Sequence, residues 1–161
     1  MIKSAPDEMT ELFTSCGGQL WRSLLAASAG RHDIADDITA EAFSQYLKHR
    51  ETVRDPLAYM FRVAYRLLAK ELAREKRQVL RSPDRAQSAR TESVLSPTLT
   101  EALLGISVEQ RFAVVLHYFL DYTVSEVASL TGSSVPAVKV RLHRARKQLR
   151  EALPDMGVHD V

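Results

Sequence analysis

Residues 124–147 read VSEVASLTGSSVPAVKVRLHRARK, and this stretch decides the fold class. Thr123 and Glu126 stand three apart as a capping box, which opens a short helix from Val124 to Thr131. Gly132 stops it and permits the positive φ of a turn. Ser134 caps a second helix that runs to about Leu153 and ends before Pro154. On that helix Val135, Val138, Leu142, Ala145 and Leu149 recur at helical spacing and face inward. Ala128 must be small where the two helices cross, and Val127 meets Val138. A short helix, a three-residue turn containing glycine and a longer helix make a helix-turn-helix. Pro136, Ala137, Lys139, Val140, Arg141, His143, Arg144 and Lys147 are left outward or flanking. With Ser134 at the entry, this is the surface of a recognition helix, base-reading near its N-terminus and phosphate-binding further along. A plain amphipathic hairpin with a solvated basic face is the competing reading. The Ala, Gly and Val spacing and the lack of any acid between Glu126 and Glu151 weigh against it.

Upstream, nearly every segment also carries helical period. Residues 98 to 105 form one short helix ending at Gly105. Ser107 to Gln110 is a capping box opening another, with Phe112, Val115, Leu116 and Phe119 on one face. Residues 7 to 28 place Leu12, Cys16, Leu20 and Leu24 on one apolar stripe, flanked by Phe13, Trp21 and Leu25. Gly17 and Gly18 each weaken that helix by about 1 kcal/mol relative to Ala, so a kink or break is expected there. Asp33 reads as the N-cap of a second helix reaching about His49, with Ile34, Ile38, Ala42, Phe43, Tyr46 and Leu47 as its apolar face. Asp55 and Pro56 open a third, running to about Gln78. Residues 81 to 97, with Ser82, Ser88, Ser93, Ser96, Pro83 and Pro97, read as a flexible linker. The expectation is an all-α protein of two small helical domains, residues 1–80 and 98–161, joined by that linker.

Composition narrows the function. The chain has 161 residues, 45% hydrophobic and 26% charged, as soluble globular proteins do. The longest apolar runs are five residues, far short of the roughly 20 a membrane span requires. The N-terminus carries no apolar signal core, so a cytoplasmic location is expected. A single cysteine, Cys16, excludes an internal disulfide and a Cys-based zinc cluster. The net charge of +2 is unevenly spread: residues 62–81 hold seven Lys or Arg against two Glu, and residues 139–150 hold six and no acid. Residues 1–41 instead carry seven acids against three bases. Two basic segments and an acidic one point to separate partners, a polyanion such as DNA for the basic pair.

On the second helix Asp36, Asp37, Ala40 and Glu41 make an acidic ridge beside the apolar face. His32 with Asp36, and Asp37 with Glu41, lie four apart and could share a metal. Neither pair has a partner pair elsewhere, and acids in a first turn also complement the helix dipole. On the third helix Tyr59, Arg62, Arg66, Lys70 and Arg77 fall on one stripe, at about 100° per residue. Cations along a line suit phosphates, and an interleaved aromatic can stack on a base. Burial of Tyr59 in the core is the alternative.

Ser125-Glu126-Val127-Ala128 and Val138-Lys139-Val140-Arg141-Leu142-His143-Arg144-Ala145-Arg146-Lys147 resemble the C-terminal domain of extracytoplasmic-function (ECF) sigma factors of bacterial RNA polymerase. Glu109-Gln110-Arg111 and Val114-Val115-Leu116 look like the family's preceding helix, though Ile106-Ser107 stands where Leu-Pro is usual. The helix Asp33 to Phe43 looks like the family's polymerase-docking helix. The resemblance implies docking on a basic coiled coil of the polymerase largest subunit through Asp37, Ile38 and Glu41, with Asp36 supporting. It implies that the third helix grips and helps melt the −10 promoter element, that the loop His49 to Asp55 receives a flipped base, and that the last helix reads the −35 element. Where the family usually has Trp, Asn and Asp, this chain has Tyr59, Arg66 and Lys70. Core RNA polymerase and promoter DNA are the implied partners, an anti-sigma protein a further one. No catalytic residue, cofactor, metal or membrane partner is expected, and the residues after Leu153 are too few for the family's accessory domain.

Overall fold

The helical periodicity becomes helix almost throughout. The computed structural model describes residues 4–84 and 93–154. In chain order these hold α1 (Ala5–Leu12), a π turn (Phe13–Gly17), α2 (Gly18–Ala27), α3 (His32–His49), α4 (Pro56–Arg81), α5 (Pro97–Leu104), α6 (Val108–Val114), a second π turn (Val115–Phe119), α7 (Val124–Thr131) and α8 (Val135–Ala152). Among the described residues, no helix is long and apolar enough to cross a membrane.

Most start and stop signals act as read. Asp55 accepts a bond from the Ala58 amide at 3.1 Å, with Pro56 in the first helical position. Ser107 and Gln110 form both bonds of their capping box. Thr123 accepts from the Glu126 amide at 3.1 Å as a one-sided cap. Gly132 has φ 63°, the left-handed conformation the turn requires, and Ser134 caps α8. Asp33 behaves differently. α3 begins at His32 with Arg31 as its N-cap, two residues earlier, and the Asp33 carboxylate takes two bonds from the Arg31 guanidinium, at 3.0 and 2.8 Å. Those bonds hold the Asp33 carboxyl below the usual range. The expected interruption at Gly17 and Gly18 is a π turn, one extra residue in an otherwise continuous helix.

In the N-terminal half Leu20, Leu24, Ile34, Ala42, Phe43, Met60, Phe61, Ala64 and Leu68 are buried. In the C-terminal half Phe112, Leu116, Val127, Val138, Leu142, Ala145 and Leu149 are. These two helical groups pack on each other. The Phe61 and Tyr122 rings meet edge-on at 6.2 Å, and Tyr65 meets Phe112 edge-on at 5.1 Å. The Arg111 guanidinium crosses the seam and donates to the Ala27 carbonyl at 2.7 Å. Residues 85–92, the middle of the expected linker, and the tail from 155 on lie outside the described residues. The linker's last residues are fastened: Ser93 Oγ donates to the Ala29 carbonyl at 2.8 Å, and the Val94 amide to the Gly30 carbonyl at 2.9 Å. Gly30 has φ 86°, and a Cβ there would stand 2.2 Å from Ser93 Oγ, so only glycine fits.

Candidate functional site

Three charged surfaces follow from which helix faces the core consumes. α4 buries Met60, Phe61, Val63, Ala64 and Leu68, which turns Arg62, Arg66, Lys70 and Arg77 to the surface, all four exposed. The two acids of this segment are spent elsewhere. Glu71 pairs with Arg74 at 2.5 Å, which holds its carboxyl below the usual range, and Glu75 meets Arg31 at 3.1 Å. The cation row therefore stays positive. Tyr59 does not stand free among the cations. It is half-buried at the start of α4, its ring 6.3 Å from Tyr46 and 6.4 Å from His49. Beside it a hollow of about 380 Å³ is lined by Leu47 to Thr52, at the start of the loop expected to take a base.

α8 buries Val138, Leu142, Ala145 and Leu149. Pro136, Lys139, Val140, Arg144 and Lys147 are exposed, and Ala137 is half-buried. The Ser134 hydroxyl is used as the cap, accepting from the Ala137 amide at 3.2 Å. Arg141 is half-buried and folds back, donating to Ser133 Oγ in the turn. Its charge also reaches the Tyr65 hydroxyl on α4, where it opposes the upward push of burial and of Glu109. Arg146, part of the same basic run, serves the fold by donating to the Tyr118 hydroxyl at 2.9 Å.

On α3 the ridge residues Asp36, Asp37 and Glu41 are exposed. Ile38, expected both on the apolar face and in the docking set, lies on the buried face with Ile34 and Ala42, at 6% exposure. Asp36 is engaged on both oxygens, by the Trp21 indole at 2.8 Å and by His32 Nδ1 at 3.1 Å. Among the described residues, no three or more His, Cys, Asp and Glu side chains gather as metal ligands. Glu41 accepts from Gln45 at 2.9 Å.

Two features escaped the sequence reading. Phe13, which flanks the apolar stripe in the sequence, is 60% exposed, since the π turn rotates it off the buried face. Arg111 is buried at 6% exposure, with its Nε unpartnered. Burial pulls its pKa down to about 10, with Glu109 opposing. Its neighbours Gln110 and Phe112 gave no sign of this, because a lone arginine in an amphipathic helix reads as surface.

Residues 98–149 match the sigma-70 region 4 family. The chain is 29% identical over 162 residues to the ECF RNA polymerase sigma factor SigL of Mycobacterium tuberculosis, covering 93% of this chain and 91% of that one. It is 27% identical over 124 residues to the RNA polymerase sigma factor SigV of Bacillus subtilis, covering 73% and 75%. Its fold matches that of the sigma factor RpoE of Bartonella quintana, solved in complex with the anti-sigma factor NepR, with a TM-score of 0.71. That match has 20% identity and covers 93% of this chain and 98% of RpoE.

Proposed function

We propose a division of labour for this chain, which homology to the ECF sigma factors and a sigma-70 region 4 at residues 98–149 make an alternative sigma factor directing transcription initiation. The N-terminal helices, residues 1–80, dock on core RNA polymerase through Asp36, Asp37 and Glu41 of α3. They hold the −10 element along Arg62, Arg66, Lys70 and Arg77, with Tyr59 bracing the start of α4. The hollow at Leu47 to Thr52 takes a base out of the melted strand. The C-terminal helices, residues 98–161, set α8 in the major groove of the −35 element, with Ser134, Pro136, Ala137, Lys139, Val140, Arg141, Arg144 and Lys147 against the DNA. The polymerase supplies the bond-making chemistry.

The observation that carries this reading is the distribution of charge over separate helices. Two exposed cation rows stand on helices of different halves, and an acidic ridge stands on a third helix. One DNA site would need only one row, and neither row explains the ridge.

The packing of the halves then has a consequence. The two promoter elements lie about 25 base pairs apart, roughly 85 Å of duplex at about 3.4 Å per pair. A packed chain of this length has a radius of gyration of about 15 Å. Reading both elements at once requires the halves to part, so the packed form is the one held off the promoter. We infer an anti-sigma protein as a further partner, as RpoE has in NepR. A cleft of about 740 Å³ between the halves, with Leu72, Val79, Leu104 and Ile106 on its walls beside Glu75, Lys76 and Glu109, suits an amphipathic insert.

Transcription in vitro with purified core polymerase tests the whole reading. Added protein should start transcripts at a discrete set of promoters sharing −35 and −10 sequences. Core polymerase that initiates no better with the chain than without it would overturn the reading.

A further inference from the structure

We propose that Ser93 and Val94, just before α5, and the turn between α2 and α3 form a clasp that must open before the chain can read two promoter elements at once. The clasp rests on the reading above that the halves part on the promoter.

The turn is shaped to receive the linker's end. α2 stops at Ala27, and the chain then passes through two left-handed residues, Ala29 at φ 58° and Gly30 at φ 86°. The Gly30 amide donates back to the Leu25 carbonyl at 2.7 Å, the bond that closes a helix end around a left-handed residue. Glycine usually stands where Ala29 does, and alanine there is strained. Helix closure accounts for Ala29 but not for the second left-handed residue, over which Leu95 and Ser93 lie. Three carbonyls of this turn are bonded from the C-terminal side. Ala27 accepts from Arg111 at 2.7 Å, Ala29 from the Ser93 hydroxyl at 2.8 Å and Gly30 from the Val94 amide at 2.9 Å. The Ser93 hydroxyl also accepts from the Leu95 amide at 3.2 Å and meets the hydroxyl of Thr100 on α5 at 2.9 Å. Thr100 is buried, so Ser93 ties the turn to the inner face of α5.

Chain length makes the clasp decisive. From Ser93 to Pro97, where α5 begins, an extended chain reaches at most about 14 Å. Two bodies each about 30 Å across, tied so, span at most about 75 Å even when swung fully apart. That falls short of the roughly 85 Å between the promoter elements. Released from the turn, residues 82–96 reach up to about 50 Å, and the span rises to about 110 Å. Opening exchanges the bonds to Ala29 and Gly30 for bonds to water, so the contact is reversible.

The test uses the full chain with purified core polymerase. Ser93→Ala with Val94→Pro removes the hydroxyl and the amide that the turn receives, and both positions lie outside the helices. Losing two such bonds should raise the parted fraction about tenfold. The chain concentration for half-maximal initiation from a duplex promoter should fall by about the same factor. Binding to a duplex carrying the −35 element alone, which needs no span, should stay within about twofold of wild type. Ser93→Ala by itself should shift initiation about threefold, and it decides the matter if the double variant loses its helices. Hydrogen exchange of the peptide spanning residues 93–97 follows the clasp directly: the Val94 and Leu95 amides should be protected in the free chain and exchange freely in the promoter complex. Initiation unchanged by both variants, or −35 binding raised as much as initiation, overturns the clasp, while exchange released in the complex leaves the parting of the halves standing. Protection kept in an initiating complex overturns both.

Discussion

α4 and α8 carry similar charge, but they differ in what stands between the cations. Along α4, from Arg62 to Arg77, no large apolar side chain is exposed, and the one aromatic of the stripe, Tyr59, is tucked against Tyr46 and His49. On α8 the cations begin after Pro136 and are interrupted by Val140, which is 47% exposed. The entry of α8 is also fixed within a few residues, by the left-handed Gly132 and the Ser134 cap. A row of cations on a smooth helix attracts phosphates without regard to sequence. A helix offering a methyl-bearing side chain and a guanidinium at its entry can tell base pairs apart. On the proposed reading, that difference gives attraction and opening to α4 and base reading to α8.

The largest effect is expected on α4. Arg62, Arg66 and Lys70 replaced together by Ala should cost three phosphate contacts. At about 0.7 per single-strand contact the salt slope falls by roughly 2, or about 100-fold in affinity near 0.1 M salt. Open complexes on a linear duplex should drop accordingly, and a premelted −10 bubble should restore part of the loss. Equal opening of duplex by the triple variant would break the comparison, because α4 would then be a solvated face.

On α8 the decisive residue is Arg141. A guanidinium bidentate to guanine discriminates by about 1–3 kcal/mol, roughly five- to 150-fold at one base pair. In the free protein Arg141 is turned back onto Ser133, so reading a base requires it to leave that bond. Arg141→Ala should therefore flatten preference at one position of the −35 element, measured by binding to a panel of single-base changes. A uniform loss across the panel would make Arg141 a backbone contact and pass the reading to Pro136, Ala137 and Val140.

Lys147 sharpens the same contrast from the other end of α8. It is exposed and three turns past the entry, where the proposed reading sets it against phosphate. Lys147→Ala should lower affinity several-fold for every member of the panel and reduce the salt slope by about 0.9. A changed sequence preference would extend the reading surface along the whole helix.

The helix-turn-helix was legible because its signals are local: a cap, a glycine and an apolar period within residues 123–149 determine it. The same holds for Asp55 and Pro56 at the start of α4 and for the cation stripe that follows. Ile38, read on the apolar face, is buried there. What could not be read depends on contacts between distant residues. Phe13 flanks the stripe of a regular helix, and one extra residue in the π turn moves it out. Ser93 and Arg111 find their partners 64 and 84 residues away, which no spacing rule reaches.

The smallest effect is expected at Arg111, where the two halves meet and on which the separation of α4 from α8 depends. Its guanidinium makes one bond across the seam, to the Ala27 carbonyl, and leaves Nε unpartnered. A hydrogen bond from a charged group contributes about 1.5–3 kcal/mol, and an unsatisfied buried donor costs about 1–3. The two nearly cancel, and the downward pull of burial on its pKa, to about 10, marks the cost of keeping the charge there. Arg111 is thus a weak latch, as the proposed parting of the halves would require. Arg111→Met keeps the volume and removes both the bond and the penalty. The melting temperature should stay level or rise by a few degrees, at about 2–4 °C per kcal/mol for a chain of this size. Initiation from duplex promoters should fall modestly, because methionine leaves the seam apolar and harder to part. A melting temperature lowered by more than about 5 °C would mean that Arg111 holds the halves together strongly. The packed form would then be the working state of the N-terminal half, and α4 and α8 would have to act on DNA in turn.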